Sequence, residues 1–338
     1  NTIMIWLIEN LNKKGFYLVG TKELYQFNGE WLIIASTPLR ISLLGGSTDL
    51  EDFIEFNGDG KVISFPINLY TYISINERYD GKFLVQYSKK EYVKSVSDIK
   101  NDVRVVLEHF NIVTPLTITL TADIPSDGSG MAASSSFTLS MIKAISTFKN
   151  INLSDMEICL LGLELERKFN PLTGRQDPIG CGMKGFKYLN FSHGEPTPIV
   201  KFYSNRYFTN HHFYLISVGQ GRSSTSILES LGLEKRLNLY NIVKNGDENI
   251  RKNKFKSLNT LILNSWEYKK ETSPLIMNDD VSQIENIIKN TDGVISYKLC
   301  GAGNGGHMLV ITKNEIKFGV FNIKINIDNR GMKSWTLQ

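Results

Sequence analysis

Residues 123–138 read Asp-Ile-Pro-Ser-Asp-Gly-Ser-Gly-Met-Ala-Ala-Ser-Ser-Ser-Phe-Thr, and the rest of the chain is interpreted outward from this stretch. The residues before it are rich in β-branched types and predict a strand over 116–122, whereas the apolar residues of 137–148 recur at helical spacing. Small residues therefore stand where a strand gives way to a helix. They let a ligand approach the backbone, and the first amides of a helix attract anions. The pattern predicts a phosphate-binding loop; the alternative is an ordinary loop with a Ser-rich helix cap.

Composition is typical of a soluble globular protein, with 41% hydrophobic and 21% charged residues. A length of 338 residues predicts two domains. The net charge of +4 is modest and the basic residues are scattered, so we expect no nucleic-acid partner. No run approaches the roughly 18–20 apolar residues of a membrane-spanning helix, so we expect no membrane partner either. Three widely spaced cysteines form neither a metal pattern nor a disulfide framework, which predicts a cytoplasmic protein.

Strand and helix patterns alternate without an internal repeat, which predicts an α+β enzyme. Strands are predicted in the first half at 31–36, 61–67, 71–77, 82–87, 116–122 and 186–191. Helices are predicted there at 50–56, 98–110 and 137–148, and from an N-cap at Ser154 to about residue 168, followed by a loop over 170–185. A boundary between residues 193 and 208 precedes the second half of the chain. Strands are predicted there at 213–218, 294–299, 307–312 and 320–327, and helices at 224–231, 236–245, 255–271 and 279–289.

Several known phosphate-binding patterns do not fit the glycine loop. No Gly-Lys-Ser/Thr follows it, so it is not a Walker A loop, and the paired signatures of protein kinases are absent. Nor is it an early Gly-x-Gly-x-x-Gly in a leading βαβ unit.

The loop resembles the Pro-x-Gly-x-Gly-Leu-Gly-Ser-Ser-Ser signature of the GHMP small-molecule kinases. Residues 38–49 (Pro-Leu-Arg-Ile-Ser-Leu-Leu-Gly-Gly-Ser-Thr-Asp) are similar to the N-terminal motif of that family, and residues 298–306 to its C-terminal Gly-rich motif. Residues 174–177 (Gly-Arg-Gln-Asp) are similar to the segment with the catalytic aspartate. The resemblance implies a ribosomal protein S5 domain 2-like domain over 31–205 and a ferredoxin-like α/β domain over 206–338. Residues 1–30 are an extension of unclear role.

Within the family, the D-glycero-D-manno-heptose 7-phosphate kinases share the most motif details, although L-fucose kinases share many of them. The resemblance implies that ATP, with Mg²⁺, phosphorylates the anomeric hydroxyl of the heptose phosphate to give the 1,7-bisphosphate. L-fucose or another sugar is an alternative acceptor, and a non-catalytic sugar- or nucleotide-binding protein is an alternative of another class. Monomer and homodimer both stay open.

Carried over residue by residue, the motifs assign catalytic roles to Asp177 and Arg40. Asp177 is expected to meet the sugar hydroxyl as general base or orienting acceptor, with a helix N-cap as the structural alternative. Arg40 is expected to stabilise transition-state charge, with a surface ion pair as its alternative. Ser134 and Glu166 are the expected Mg²⁺ ligands, although Glu166 could instead be a solvated helix carboxylate. The expected nucleotide-binding residues are Gly128, Ser129, Gly130, Met131, Ala132, Ala133, Ser134 and Ser135.

The expected acceptor site has two parts. The sugar is assigned to Gly45, Gly46, Ser47, Thr48, Asp49 and Gly303. A phosphorylated sugar also needs cations at the far end of its pocket, since arginine suits bidentate phosphate contact. Arg222 is the favoured candidate, with Lys89, Lys90 and Arg175 as others.

Three positions depart from the family pattern. Asp127 is an extra residue that places a negative charge near the expected phosphates, and Ala133 removes a usual hydroxyl. Asn304 replaces a glycine, so a position that needs a positive φ must accept asparagine, which it can.

Overall fold

The computed structural model describes residues 31–125, 128–219 and 224–337, without the side chains of residues 224 and 225. Twelve strands are described: β1 Leu32–Leu44, β2 Asp59–Glu77, β3 Phe83–Gln86, β4 Lys90–Val93, β5 Leu116–Ala122, β6 Lys187–Ser192, β7 Ile199–Phe202, β8 His212–Ser217, β9 Val294–Leu299, β10 His307–Thr312, β11 Asn322–Ile325 and β12 Lys333–Leu337. Ten α-helices are described: α1 Glu51–Asn57, α2 Val103–His109, α3 Ala133–Phe148, α4 Asp155–Glu166, α5 Gln176–Gly182, α6 Arg206–Thr209, α7 Ser224–Glu229, α8 Leu237–Arg251, α9 Phe255–Thr272 and α10 Asp279–Lys289. The predicted α+β class is confirmed. None of the helices so described is long and apolar enough to cross a membrane.

The first sheet has eight strands in the order β12-β1-β2-β5-β3-β4, with β6 paired to β2 and β7 to β6. Its centre is β2, which pairs with β5 through its second half and with β6 through its first half. The two strands predicted at 61–67 and 71–77 are therefore one strand of 19 residues. Pro66 lies within it, next to a register shift against β1, where a missing N–H is tolerated.

Strand β1 continues eight residues beyond the predicted end at residue 36, so it contains most of the first motif. The reason is burial on both faces. Ala35 belongs to the core beneath the first sheet, whereas Leu39 and Ile41 belong to a core shared with the second sheet. Arg40 is thereby placed on a rigid central strand rather than on a loop.

Helices α3 and α5 pack against the first sheet, and α4 packs on these two helices. The Ser154 side chain accepts from the Glu157 amide while Glu157 accepts from Ser154, which confirms the predicted capping box of α4. Ser136 and Ser140 on α3 are buried and hydrogen-bonded to β1 at Thr37. The predicted loop over 170–185 is wrong in part, because α5 occupies its centre and carries Asp177 in its first turn.

The second sheet is antiparallel, in the order β11-β8-β10-β9. Every residue of β10 is buried, because alternate side chains enter different cores. Leu309 faces the core shared with β1 and β2, whereas Val310 packs in a cluster with Trp266 of α9. The two sheets therefore meet through a common apolar core.

The last strand returns to the first sheet, which the sequence did not predict. β12 pairs antiparallel with β1, from Leu32 opposite Leu337 to Ser36 opposite Lys333. The domain division at residues 205 and 206 stays a prediction, and the chain after residue 332 contributes to the sheet of the first half.

Candidate active site

A cavity of about 470 Å³ lies between the two halves of the chain. Most of the predicted site residues line it, although they come from distant parts of the sequence. These are Arg40, Gly45, Gly46, Ser47, Asp49, Gly128, Ser129, Gly130, Ala132, Ala133, Ser134, Ser135, Glu166, Asp177 and Gly303.

An ion pair between Arg40 and Asp177 lies in the wall of this cavity. The Arg40 guanidinium donates to Asp177 Oδ1 from Nη2 at 2.6 Å and from Nε at 3.2 Å, and to the Gly130 carbonyl from Nη1 at 3.0 Å. The Arg40 side chain is 5% exposed and that of Asp177 is 25% exposed. Because both contacts use Oδ1, the second carboxylate oxygen of Asp177 can accept from a ligand.

Asp49 is buried beside this pair and is held by Gln176. The Gln176 backbone amide donates to Asp49 Oδ2 at 3.0 Å, and its side-chain amide donates to Oδ1 at 2.7 Å. Burial, together with the negative charge of Asp177, raises the pKa of Asp49 to about 6 against these hydrogen bonds. A Cβ at Gly174 would lie 2.2 Å from Asp49 Oδ2, so the motif needs glycine there for space.

The glycine loop meets both halves of the chain. The Arg40 amide donates to the Met131 carbonyl at 3.2 Å, which ties the loop to β1. A Cβ at Gly301 would lie 2.4 Å from the Gly130 Cα, so the loop also touches the third motif backbone to backbone. Asn304 in that motif has φ 59°, which confirms that asparagine occupies a left-handed position there.

The N-terminus of α3 faces the cavity without a side-chain cap. Its N-cap residue, Ala132, is in the left-handed region with φ 58° and makes no capping hydrogen bond. The first amides of α3 therefore lack the partner that a capping side chain usually supplies. This arrangement suits an anion.

Glu166 and two serines form the candidate metal ligands. Ser135 donates to Glu166 Oε2, and Glu166 is 2% exposed. Burial raises the pKa of Glu166 to about 7; hydrogen bonds from Ser135 and Ser134 oppose the rise, and the charge of Asp177 adds to it. A carboxylate beside hydroxyls fits Mg²⁺, which takes its other ligands from phosphates and water. Within the described ranges no three His, Cys, Asp or Glu side chains form a metal-binding group, so phosphate oxygens would have to complete the site.

Not every predicted residue lines the cavity. The Thr48 hydroxyl donates to the Gly45 and Lys61 carbonyls, and the Met131 side chain belongs to the shared core. Arg222 and Asp127 lie outside the described residues. Arg175 forms an ion pair with Glu51 away from the cavity.

The sequence did not predict several other polar residues of the cavity wall, among them Ser42, Gln176, Lys269 and Lys298. Ser42, Gln176 and Lys298 lie inside the quoted motifs, and their place in those motifs was the available signal. Lys269 lies on α9, which no motif marks, and only the fold brings it to the cavity.

A second cavity, of about 610 Å³, adjoins the glycine loop on its other side. It shares Gly128, Ala133 and Ser134 with the first cavity. Its apolar and aromatic lining residues include Tyr87, Val103, Val106, Leu120, Phe137, Met141 and Phe169. Polar residues, among them Asn101, Asp102 and Asp123, also line it. The glycine loop thus lies between two cavities.

The sequence of this chain is similar to those of known kinases. The family model described as GHMP kinases N terminal domain matches residues 92–185. The chain is 26% identical over 343 residues to the D-glycero-alpha-D-manno-heptose 7-phosphate kinase of Campylobacter jejuni, covering 90% of this chain and 99% of that protein. It is 29% identical over 214 residues to the L-fucokinase/L-fucose-1-P guanylyltransferase of Bacteroides fragilis, covering 59% of this chain and 22% of that protein.

Solved structures have the same fold. The crystal structure of a D-glycero-D-manno-heptose 1-phosphate kinase from Bacteroides thetaiotaomicron superposes with a TM-score of 0.72 at 19% identity, covering 90% of this chain and 99% of that one.

Proposed function

We propose that this chain is a GHMP kinase that transfers the γ-phosphoryl group of ATP to the anomeric hydroxyl of D-glycero-D-manno-heptose 7-phosphate. The product is the 1,7-bisphosphate. The observation that carries the proposal is the single cavity in which the glycine loop, the Arg40–Asp177 pair and Asp49 meet. Nucleotide and acceptor can therefore lie side by side.

The nucleotide is assigned to the glycine loop and the second cavity beside it. Backbone amides over 128–134 and the uncapped start of α3 would hold the α- and β-phosphates. The second cavity, which Phe137 and Met141 help to line, has room for the adenosine. Glu166, with Ser134 and Ser135, would hold Mg²⁺, which when bound neutralises charge on the β- and γ-phosphates.

The acceptor is assigned to the other side of the Arg40–Asp177 pair. Asp177 Oδ2 can accept the hydrogen bond of the attacking hydroxyl, orienting it or taking its proton. The guanidinium of Arg40 lies within hydrogen-bond distance of Asp177 and can stabilise charge on the phosphoryl group in transit. Asp49, positioned by Gln176, is a second hydroxyl acceptor. Gly45, Gly46, Ser47 and Gly303 line the same cavity.

L-fucose is the alternative acceptor, because a fucokinase matches part of the chain. A non-catalytic binding protein is disfavoured, because a binding protein has no use for the Arg40–Asp177 pair that the fold brings together. A cytoplasmic location, which the three unpaired and buried cysteines suit, stays a prediction, as does the oligomeric state.

The test is ADP release from ATP and Mg²⁺ with the heptose 7-phosphate, L-fucose, galactose and mevalonate as separate acceptors. We expect turnover with the heptose phosphate and much less with the others. Efficient turnover of L-fucose without turnover of the heptose phosphate would replace the proposed acceptor. ATP binding without transfer to any sugar would favour the non-catalytic alternative.

A further inference from the structure

Two lysines of the second half of the chain lie in the cavity wall. Lys269 comes from α9 and Lys298 from β9, and each is 6% exposed. Lys269 Nζ donates to the Gly301 carbonyl at 2.6 Å. Lys298 Nζ donates to the Ser42 and Leu43 carbonyls at 2.9 and 3.0 Å.

Neither ammonium forms an ion pair with a carboxylate in the described part of the chain, although burying an unpaired charge is unfavourable. The buried arginines differ: Arg40 is paired with Asp177, and Arg236 with Asp52. The carbonyl contacts use one of the three N–H donors of Lys269 and two of those of Lys298.

Lys187 shows what a fully satisfied buried lysine looks like in this fold. It donates to three carbonyls, those of Gly180, Met183 and Gly185, and it does not line the cavity. Lys269 and Lys298 have unused donors and line the cavity, so their charges face the space that a ligand would fill.

The charges of this wall also act on one another. Burial lowers the pKa of Lys269 to about 8, and the charge of Arg40 adds to the decrease. Burial lowers the pKa of Lys298 to about 7, and the charge of Lys269 adds to it. Cations that disfavour one another's charged forms would be stabilised together by an anion among them.

We propose that Lys269 and Lys298 bind a phosphate group within this cavity. Resting on the proposed kinase function, the inference places two cations in the wall of the cavity that holds the Arg40–Asp177 pair. The other lysines weighed for this role, Lys89 and Lys90, are exposed and do not line the cavity. The phosphate has two possible sources in the reaction: the phosphate that the acceptor already carries, or the γ-phosphoryl group of ATP.

The test compares Lys269→Met and Lys298→Met with Lys256→Met, an exposed lysine on the same helix as Lys269. If the acceptor phosphate is bound, the KM for the sugar phosphate rises on the order of tenfold or more, whereas kcat/KM for the unphosphorylated sugar is unchanged. If the γ-phosphoryl group is bound, kcat falls by a similar factor with both acceptors. Folded variants with wild-type kinetics on both acceptors would overturn the inference while leaving the kinase function intact.

A second measurement uses the unmodified protein and depends on no variant. Inorganic phosphate should protect Lys269 and Lys298 from acetylation, read by mass spectrometry, with Lys256 as the unprotected internal control. If phosphate leaves the acetylation of Lys269 and Lys298 unchanged, the inference is overturned. This result does not depend on whether the protein phosphorylates a sugar.

Discussion

At the scale of single residues, the two carboxylate oxygens of Asp177 have different hydrogen-bond partners. Oδ1 accepts two hydrogen bonds from the Arg40 guanidinium, and among the described residues Oδ2 accepts none. Arg40 therefore orients the carboxylate through Oδ1, and Oδ2 can accept a hydrogen bond from an attacking hydroxyl. This arrangement requires a carboxylate rather than an amide.

Asp177→Asn tests this assignment. We expect turnover to fall by on the order of 10²-fold or more, because the amide cannot take the hydroxyl proton and pairs poorly with Arg40. ATP affinity, measured by calorimetry, should change little. Asp155→Asn, at an exposed position, serves as the control. Turnover close to wild type in Asp177→Asn would reject the catalytic role of this residue.

Ala132 has a strained backbone conformation. It adopts φ 58°, a left-handed conformation that costs an L-residue with a Cβ roughly 1–2 kcal/mol. We expect Ala132→Gly to raise the free energy of unfolding by up to about 1 kcal/mol, since glycine relieves the strain but gains entropy when unfolded. Urea unfolding measures it. Asn111→Gly, at φ 49°, should gain less because asparagine tolerates this region. Equal effects at both positions would contradict the strain argument.

At the scale of elements, β12 connects the end of the chain to the strand that carries Arg40. It extends the first sheet beyond β1 through five residue pairs. Without it, the ladder groups of β1 on that side would have no strand partner.

Removal of residues 333–338 is expected to lower the free energy of unfolding by roughly 2 kcal/mol or more. Ser334→Ala, which removes only the 2.9 Å hydrogen bond with Thr147, should cost much less. Thermal unfolding of both variants makes the comparison. A truncated protein as stable as the full chain would show that the β1–β12 pairing contributes little.

At the scale of the whole molecule, folding buries ionisable groups that the unfolded chain exposes, so stability depends on pH. The pKa of Glu166 is raised to about 7 by burial. The folded protein therefore keeps a proton on Glu166 that the unfolded chain has lost. Its stabilising contribution is present below the unfolded pKa and is lost as the pH rises through 7.

Without nucleotide, we expect the free energy of unfolding to fall by on the order of 3 kcal/mol between pH 4.5 and 7.5 from this group. Glu166→Gln should flatten that decline, because its side chain carries no proton that titrates in this range. Glu164→Gln, an exposed carboxyl two residues away, should leave it unchanged. Urea unfolding across the pH range gives the result. An unchanged profile in Glu166→Gln would contradict the assignment.

Local pattern predicted much of the fold. The strand over 116–122, the capping box of α4, and the strands 294–299 and 307–312 follow from periodicity and short-range hydrogen bonding. Predictions failed where tertiary burial overrides local signals. Pro38 and Pro66 lie inside long strands because neighbouring strands and the shared core hold them there, and α5 forms in a segment whose Gly and Pro residues indicated a loop.

By itself, the sequence determined the α+β class and indicated a GHMP small-molecule kinase, because four motifs similar to those of that family occur in a consistent order. It also predicted Arg40, Asp49, Glu166 and Asp177 as site residues, and all four line the cavity. Only the tertiary structure decided that Gln176 holds Asp49 and that Lys269 and Lys298 reach the cavity. It also decided that the run of small residues is divided, with Ser135 bonded to Glu166 and Ser136 packed in the core. The physical reason is that burial and contact between segments far apart in the chain set these roles, and residue spacing does not encode them.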